Sequence, residues 1–483
     1  MPHKQYSLRI PDHAGTGLST KVHSPYSGEV VAEVEELDAA GMTRAIDAAV
    51  AAFRKNRAGL PAHERQAILS RLAELLHGRH EELSLLIARE GGKPLTDARI
   101  EVTRAINSVR IAGDEAVRIH GREVPMQGAS AAMGRLSFTT REPIGVVAAV
   151  SAFNHPLNLI SHQVAPAVAA GCPVLIKPAP DTPVTCMVFM ELLREAGLPP
   201  ELGMAVPCSN EVAELLVTSD RIAFFSFIGS ARVGWYLRSQ LAPGVRCALE
   251  HGGASPVIVD ETADLERTLP SLIKGGYYHA GQVCVSVQRV FVHRSRREEF
   301  LERLTTGVRS LVVGDPTKDK TEVGPLIRQA EVERVHEWVR EAAAGGAGVI
   351  AGGEPLDHQC YQPTVLDGPP AGTKVMTEEI FGPVVAVNAF DTLGEAIRRA
   401  NDVRWAFQAA IFTQDVDRAL QAARELESSA VMINDNSAFR VDWMPFGGRG
   451  SSGLGVGGIG ATVRDLAVEK LIVVKYRETP RST

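Results

Sequence analysis

The stretch "IGVVAAVSAFNHPLNLISHQVAPAVAAGCPVLIKP", residues 144–178, indicates a strand, a helix and a second strand. It opens on an apolar run typical of a buried strand, continues at helical spacing, and ends on the apolar "CPVLIKP". Two parallel strands joined by a helix form a βαβ unit. The stretch therefore predicts a parallel sheet with helices packed on its faces.

The same alternation of strand and helix continues along the chain. Further strand candidates are "GMAVP" (203–207) and "IAFFSFIG" (222–229) in a first block, and "PVIVD" (256–260), "RVFVHR" (289–294), "AGVIAGG" (347–353), "AAIFT" (409–413) and "SAVMIND" (429–435) in a second. Such alternation is typical of sheets covered on both faces. We predict an α/β fold of two doubly wound lobes, with ligands bound at the carboxyl ends of the strands.

Composition and charge disfavour several classes of function. The net charge of −6, from 57 acidic and 51 basic side chains, comes without a polybasic run, so neither nucleic acid nor a membrane is an expected partner. The first residues lack the apolar core of a signal peptide. The six cysteines are scattered without a CxxC pair, which disfavours disulfides and a metal site. We expect a cytoplasmic protein without bound metal.

Polar residues follow three strands of the first block. Asn154 ends a strand where an amide can donate to a developing oxyanion, although asparagine is also common as a helix cap. Lys177 suits hydrogen bonds to a sugar or a phosphate, with a solvated lysine as the alternative. Gly229 and Ser230 begin a helix, where free N–H groups suit a pyrophosphate.

A carboxylate and a thiol lie where the two blocks meet. Glu250, in "CALEHGGASP" (247–256), is a candidate general base if desolvated, and otherwise an ordinary salt-bridged glutamate. Cys284, in "HAGQVCVSVQR" (279–289), is either a buried hydrophobe or a nucleophile. No basic residue adjoins it, so the local sequence leaves both interpretations open.

The run "GLGVGG" (453–458) matches the GxGxxG pattern of dinucleotide-binding turns. No strand precedes it, and that context is what gives the pattern its meaning. We interpret it as a glycine-rich loop near the site.

Taken in chain order, these motifs resemble those of the aldehyde dehydrogenase superfamily over nearly the whole chain. The motifs are "AFNHP" with Asn154, "IKP" with Lys177, "FIGS" from Phe227 to Ser230, "EHGG" with Glu250, "GQVC" with Cys284, "EEIFGP" with Glu379 and Phe381, and "PFGGRGSSGLG" at 445–455. The resemblance implies NAD(P)-dependent oxidation of an aldehyde to a carboxylic acid. "FNHPLN", "EHGG" and "FRVDWMPF" are most similar to members that act on phosphonoacetaldehyde or lactaldehyde.

The resemblance also implies a role for each motif residue. Cys284 would attack the carbonyl, Asn154 and the Cys284 N–H would hold the alkoxide, and Glu250 would activate water against the thioester. The implied cofactor-binding residues are Ser151, Phe153, Lys177, Gly229, Ser230, Gly252, Glu379 and Phe381. Pro180 stands where many NAD-preferring relatives carry a glutamate, and the missing carboxylate weakens the case for strict use of NAD. NAD is expected, with NADP as the alternative.

Other departures from the superfamily pattern bear on the substrate. His155, Arg104 and Arg440 suggest a small anionic or hydroxylated aldehyde, although Arg104 would otherwise belong to a solvated helix face. Val283 replaces an arginine of relatives that take phosphorylated glyceraldehyde, which disfavours a strongly anchored phosphate. His251 replaces the usual leucine of the base motif and is interpreted as a polar substitution near the cofactor.

Three alternative functions remain at this point. A catalytically silent nucleotide-binding protein is disfavoured by the intact Cys284, Asn154 and Glu250. Acyl transfer to coenzyme A is disfavoured because members that do this usually lack the base glutamate. A cofactor-free cysteine hydrolase is disfavoured because no histidine motif pairs with the cysteine.

The resemblance implies a division of the chain and an assembly. Residues 1–122 and 143–252 would bind NAD(P), and residues 253–462 would form the catalytic domain. The terminal strand "EKLIVVKYRE" has no obvious partner in its own chain. Residues 123–142 and 463–483 are therefore expected to form an arm that pairs with a neighbouring subunit in a homodimer or homotetramer.

Overall fold

A computed structural model describes residues 4–12 and 15–476 of the chain. Its strands are β1 Lys4–Tyr6, β2 Ser19–His23, β3 Val30–Glu35, β4 Arg135–Pro143, β5 Val147–Val150, β6 Val174–Lys177, β7 Gly203–Ala205, β8 Phe224–Ile228, β9 Arg246–Glu250, β10 Pro256–Val259, β11 Arg289–His293, β12 Gly348–Ala351, β13 Thr364–Asp367, β14 Val384–Phe390, β15 Trp405–Ala406, β16 Gln408–Phe412, β17 Ala430–Ile433, β18 Arg449–Gly450, β19 Gly453–Leu454 and β20 Ala467–Lys475. Its α-helices are α1 Ala39–Lys55, α2 Ala62–Gly78, α3 His80–Gly91, α4 Leu95–Ala116, α5 Asn158–Ala170, α6 Pro183–Glu195, α7 Asn210–Val217, α8 Ala231–Ser239, α9 Leu265–Tyr277, α10 Arg297–Arg309, α11 Gln329–Ala344, α12 Lys374–Thr377, α13 Leu393–Asn401, α14 Val416–Glu425 and α15 Ile459–Leu466.

The first lobe is built on a six-stranded sheet in the order β19-β9-β8-β5-β6-β7. Strands β5 to β9 are parallel, and β19 pairs antiparallel with β9 at the edge. The apolar runs of β5 and β6 suit burial on both faces, and α5 beside them is buried along its whole length. The strand order reverses between β5 and β8, so the crevice at their carboxyl ends is the expected ligand site.

The second lobe is built on a seven-stranded sheet in the order β12-β13-β14-β11-β10-β16-β17. Its neighbouring strands are parallel except for the pair β12 and β13. The link between these two strands contains no crossover helix, which is why they pair antiparallel. The sheet predicted to be parallel therefore has an antiparallel edge.

Strands β4 and β20 form a two-stranded ribbon, paired antiparallel along the full nine residues of each strand. The expectation that the terminal strand has no partner in its own chain is therefore wrong. The partner was hard to find in the sequence because "TTRE" within β4 lacks a clear apolar alternation. Leu471 and Val473 leave apolar surface exposed on the ribbon. Residues 477–483 of the expected arm lie outside the described residues.

The chain returns to the first lobe near its end. Strand β19 joins the first sheet, and α15 packs on α4 and α5 through Ile459, Val463 and Leu466. The division of the chain into cofactor-binding and catalytic domains stays a prediction. Within the described ranges, no helix combines the length and hydropathy needed to cross a bilayer.

Candidate active site

Cys284 lies in the segment between α9 and β11, just after a sharp turn. His279 and Ala280 in that turn adopt left-handed φ values of 49° and 54°. The flanking Val283 and Val285 are buried in an apolar cluster, whereas Cys284 keeps accessible surface. Burial among surrounding atoms nevertheless raises the pKa of its thiol to about 12. A group that is densely surrounded and still accessible lies in a concave pocket.

Three ionisable side chains from distant segments influence the pKa of this thiol. After burial, the largest influence on the pKa of Cys284 is Arg440, which lowers it, while Glu379 and Glu250 raise it. The thiol is therefore protonated at neutral pH, and Arg440 is the neighbour that favours the thiolate. The side chain that favours the thiolate thus comes from a segment far from Cys284 in the sequence.

Asn154 lies beside the segment that carries Cys284. Its side-chain amide donates a hydrogen bond to the carbonyl of Gln282 at 2.9 Å, and the residue is 5% exposed. Gln282 is itself fixed, since its side chain donates to the carbonyls of His279 and Pro325 and accepts from the N–H of Ile327. The end of β5 and the cysteine segment are therefore held in one rigid arrangement.

Glu250 ends β9, next to the glycine-rich loop at 453–458. A Cβ atom on Gly457 would overlap a carboxylate oxygen of Glu250, so only glycine allows this approach. Burial raises the pKa of the Glu250 carboxyl, and Arg440 opposes that shift. The loop interpreted as lying near the site is thus in contact with the candidate base.

Several candidate cofactor-binding residues present unpaired polar atoms. Among the described residues, Ser151 Oγ and Glu379 Oε1 are buried and have no hydrogen-bond partner. Burial raises the pKa of Glu379 to about 8, against a hydrogen bond from the Gly253 N–H. Lys177, at the end of β6, is 5% exposed, and burial lowers the pKa of its amine. These groups fit a ligand rich in hydroxyl groups, such as a nucleotide ribose.

The remaining cofactor candidates are Gly229, Ser230, Phe153, Phe381 and Gly252. Gly229 and Ser230 lie immediately before α8, and Ser230 caps that helix without a side-chain hydrogen bond. This leaves N–H groups of the first turn available for an anion. The rings of Phe153 and Phe381 meet edge to face at 5.9 Å. Gly252 lies against the carboxylate of Glu379, where a side chain on Gly252 would overlap it.

His251 occupies the place of the usual leucine and is 2% exposed. Its Nδ1 is 3.0 Å from the carbonyl of Gly229, and its ring lies near those of Phe227 and Trp235. Burial lowers the pKa of His251. The residue therefore links the cofactor loop to the base motif as a neutral side chain.

The candidate substrate residues His155 and Arg104 each lie near charged side chains. Burial and the cations Lys93 and Arg104 hold the pKa of His155 well below its usual range, so His155 is a neutral hydrogen-bonding group. Arg104 binds Asp442 through two hydrogen bonds of 3.2 and 2.7 Å. The interpretation of Arg104 as part of a solvated helix face is therefore wrong, because its side chain is 21% exposed and paired with a buried carboxylate.

Sequence reasoning missed the groups that hold these residues in place. Asp442 accepts hydrogen bonds from Arg104, Asn158 and His162. Glu101 accepts from the N–H groups of Leu157 and Asn158 at the start of α5. The available signal was "FRVDWMPF", an aspartate among apolar residues, but its partners lie far away in sequence.

Comparison with known proteins identifies the family. The sequence model of the aldehyde dehydrogenase family matches residues 13–472 of this chain. The chain belongs to the aldehyde dehydrogenase family. Among relatives of this enzyme, the 3-sulfolactaldehyde dehydrogenase of Priestia aryabhattai is 38% identical over 474 residues, which cover 98% of each chain. The resemblance inferred from the motifs is confirmed.

Solved structures of aldehyde dehydrogenases share the fold. Aldehyde dehydrogenase 21 from Physcomitrella patens, in complex with its reaction product succinate, has a TM-score of 0.95 at 34% identity and covers 98% of this chain and 99% of its own. The glyceraldehyde-3-phosphate dehydrogenase GapN of Methanocaldococcus jannaschii, complexed with NADP, has a TM-score of 0.91 at 33% identity and covers 95% and 100%. The two-lobed α/β fold predicted from the sequence is therefore confirmed, and the chain is an oxidoreductase that acts on an aldehyde.

Proposed function

We propose that this aldehyde dehydrogenase oxidises a small anionic aldehyde to a carboxylic acid with NAD(P), through a thioester on Cys284. The observation that carries the proposal is the position of Arg440. Its charge lowers the pKa of both Cys284 and Glu250, and its buried Nε has no hydrogen-bond partner among the described residues. A buried donor next to a nucleophile is suited to receive an anionic group of the substrate.

The chain's own residues perform the attack. Cys284 gives its proton to water, and the thiolate, which Arg440 favours, adds to the carbonyl carbon to form a thiohemiacetal. The amide of Asn154 and the N–H of Cys284 donate hydrogen bonds to the resulting alkoxide. Because Asn154 is already fixed by its bond to Gln282, little reorganisation is needed.

The crevice between β5 and β8 would hold the nucleotide. Lys177, Gly229 and Ser230 would bind the ribose and phosphates, and Ser151, Phe153, Gly252, Glu379 and Phe381 would line the nicotinamide end. A bound nicotinamide would supply the hydride acceptor that the collapse of the thiohemiacetal to a thioester requires.

Glu250 completes the reaction. As a carboxylate it takes a proton from water, and the water oxygen attacks the thioester carbon and releases the acid and the thiol. Burial, which raises the pKa of Glu250, also makes its carboxylate a stronger base. This residue favours hydrolysis over acyl transfer to coenzyme A.

The substrate class is proposed from the charges around the thiol. Arg440, Arg104 and neutral His155 would face the far end of a short aldehyde. The relatives support this assignment, because one is named for 3-sulfolactaldehyde and a structural neighbour holds succinate. Both molecules are small and anionic.

The nucleotide is proposed to be NAD, with NADP also accepted. The exposed Pro180 supplies no carboxylate to repel a 2′-phosphate, and Asp181 next to it forms a two-point ion pair with Arg328. A neutralised Asp181 discriminates weakly between the two nucleotides.

We also propose a cytoplasmic homodimer or homotetramer assembled through the β4–β20 ribbon. The exposed Leu471 and Val473 supply apolar surface for a neighbouring subunit. All six cysteines are free, which fits a reducing compartment.

Steady-state rates test this function. The enzyme is offered small aldehydes that carry a sulfonate, phosphonate, carboxylate or hydroxyl group, each with NAD and with NADP. We expect the anionic aldehydes to have the highest kcat/KM. If no aldehyde reduces either nucleotide, the chain is a silent nucleotide-binding protein instead.

A further inference from the structure

A chain of polar contacts runs behind the candidate substrate pocket. Asp442 accepts from Arg104, and its Oδ1 lies 2.9 Å from Nε2 of His162. The other ring nitrogen of His162, Nδ1, lies 3.4 Å from Nη2 of Arg440. Asp442 is 3% exposed and His162 is 6% exposed. We call Arg104, Asp442, His162 and Arg440 the Asp442 network.

The hydrogen-bond partners of His162 determine which of its ring nitrogens carries the proton. A guanidinium only donates, so Nδ1 of His162 must accept from Arg440. Nε2 must then carry the proton and donate to Asp442. Burial and Arg440 lower the pKa of His162 to about 4 despite the aspartate, so the ring is neutral. It accepts a hydrogen bond at Nδ1 and donates one at Nε2.

The two arginines of the network differ in how their donors are paired. Arg104 uses Nε and Nη2 on Asp442. The guanidinium of Arg440 stacks on the ring of Phe446 and is in hydrogen-bond contact with His162, and its Nε has no partner among the described residues. Arg440 is therefore the arginine of the network with a buried donor that lacks a partner among the described residues.

We propose that His162 and Asp442 are positioning residues that aim Arg440 at the anionic group of the substrate. This inference rests on the proposed function. Asp442 fixes the tautomer of His162, and His162 then supplies the acceptor that holds one end of a long, otherwise mobile side chain. The stacking on Phe446 fixes the face of the guanidinium and leaves Nε directed to a ligand. Selectivity for anions would thus depend on a histidine that never touches the substrate.

The proposal is tested with His162→Leu and His162→Gln. The glutamine amide has one acceptor and donors, so it can replace the bridge of a neutral imidazole, whereas leucine cannot. 3-Sulfolactaldehyde and lactaldehyde serve as a matched pair that differs by the sulfonate. The exposed His77 on α2 provides the control, His77→Leu.

We expect His162→Leu to raise KM for 3-sulfolactaldehyde by about tenfold or more. This is the expected effect of losing one hydrogen bond between Arg440 and the charged sulfonate. KM for lactaldehyde should change by less than about twofold, because lactaldehyde has no anionic group for Arg440 to bind. His162→Gln should recover most of the selectivity, and His77→Leu should keep all of it. If His162→Leu does not fold, His162→Met provides a second side chain that cannot donate to Asp442.

The outcomes separate this inference from the proposed function. If the wild type prefers 3-sulfolactaldehyde and the leucine and methionine variants keep that preference, the positioning role is wrong and the function stands. Glutamine performing no better than leucine would also overturn it. If the wild type shows no preference for the sulfonate, the anionic substrate class is wrong and the inference is withdrawn with it.

Discussion

The guanidinium carbon of Arg440 lies 3.4 Å from the centre of the Phe446 ring. Phe446 in turn packs with Val283 and Val285, the two residues that flank Cys284. Arg440, the cation with the largest effect on the pKa of the Cys284 thiol, therefore packs on the same apolar cluster as the thiol. This packing couples the position of Arg440 to that of Cys284.

The burial of Cys284 predicts how the alkylation of its thiol depends on pH. Since burial raises the pKa of Cys284 to about 12, the thiolate fraction grows with pH over the whole neutral range. We expect the rate of inactivation by iodoacetamide, without nucleotide, to rise about tenfold per pH unit. Arg440→Gln should slow alkylation at any given pH, whereas Arg118→Gln, at an exposed site, should not. A rate that levels off below about pH 9 would contradict the assignment.

Asn154 is expected to contribute through its amide donor. In Asn154→Asp the shape is kept, but the donor is replaced by an acceptor that also faces the Gln282 carbonyl. We expect kcat to fall by about 100- to 1,000-fold. Thermal unfolding and nucleotide binding of the variant are the controls. A fall of less than about fivefold would show that the alkoxide is held elsewhere.

Nucleotide preference should respond to charge at position 180. Pro180→Glu places a carboxylate where many NAD-preferring relatives carry one, and like charges repel a 2′-phosphate. We expect kcat/KM with NADP to fall at least about tenfold while that with NAD changes little. Pro200→Glu, at another exposed proline, is the control. Equal effects on both nucleotides would place the adenosine ribose away from this loop.

The ribbon should carry the assembly. Leu471→Glu puts a charge on its exposed apolar surface, and a charge buried at a subunit contact is costly. Light scattering should show a smaller assembly than for the wild type. Val416→Glu, where the native side chain is 68% exposed on α14, should leave the assembly unchanged. An unchanged mass for both variants would remove the ribbon from the interface.

The parts of the site that the sequence predicts are those at the ends of parallel strands. Lys177 and Glu250 end strands of one sheet and Asn154 lies shortly after another, so their approach to a common edge of the sheet follows from the fold class. The apolar run of β14, "VVAVNAF", carries a strand signal that the candidate strands did not include. Its burial beside β11 and β13 makes it a central strand.

Local sequence patterns do not predict contacts between residues that are far apart in the sequence. The pair of Arg104 and Asp442 spans 338 residues, and no periodicity within either segment specifies it. The approach of Gly457 to Glu250 is similar, because the glycine-rich loop has meaning only once β19 has paired with β9. Such contacts depend on the packing of the lobes, which composition and spacing do not encode.

Glu250→Gln, mixed rapidly with aldehyde and nucleotide, tests the reaction most directly. We predict a burst of about one reduced nucleotide per subunit, followed by a stall, with the acyl group found by mass spectrometry on Cys284. Steady turnover at the wild-type rate, or an acyl group on another residue, would contradict an acyl-cysteine that is hydrolysed with the help of Glu250.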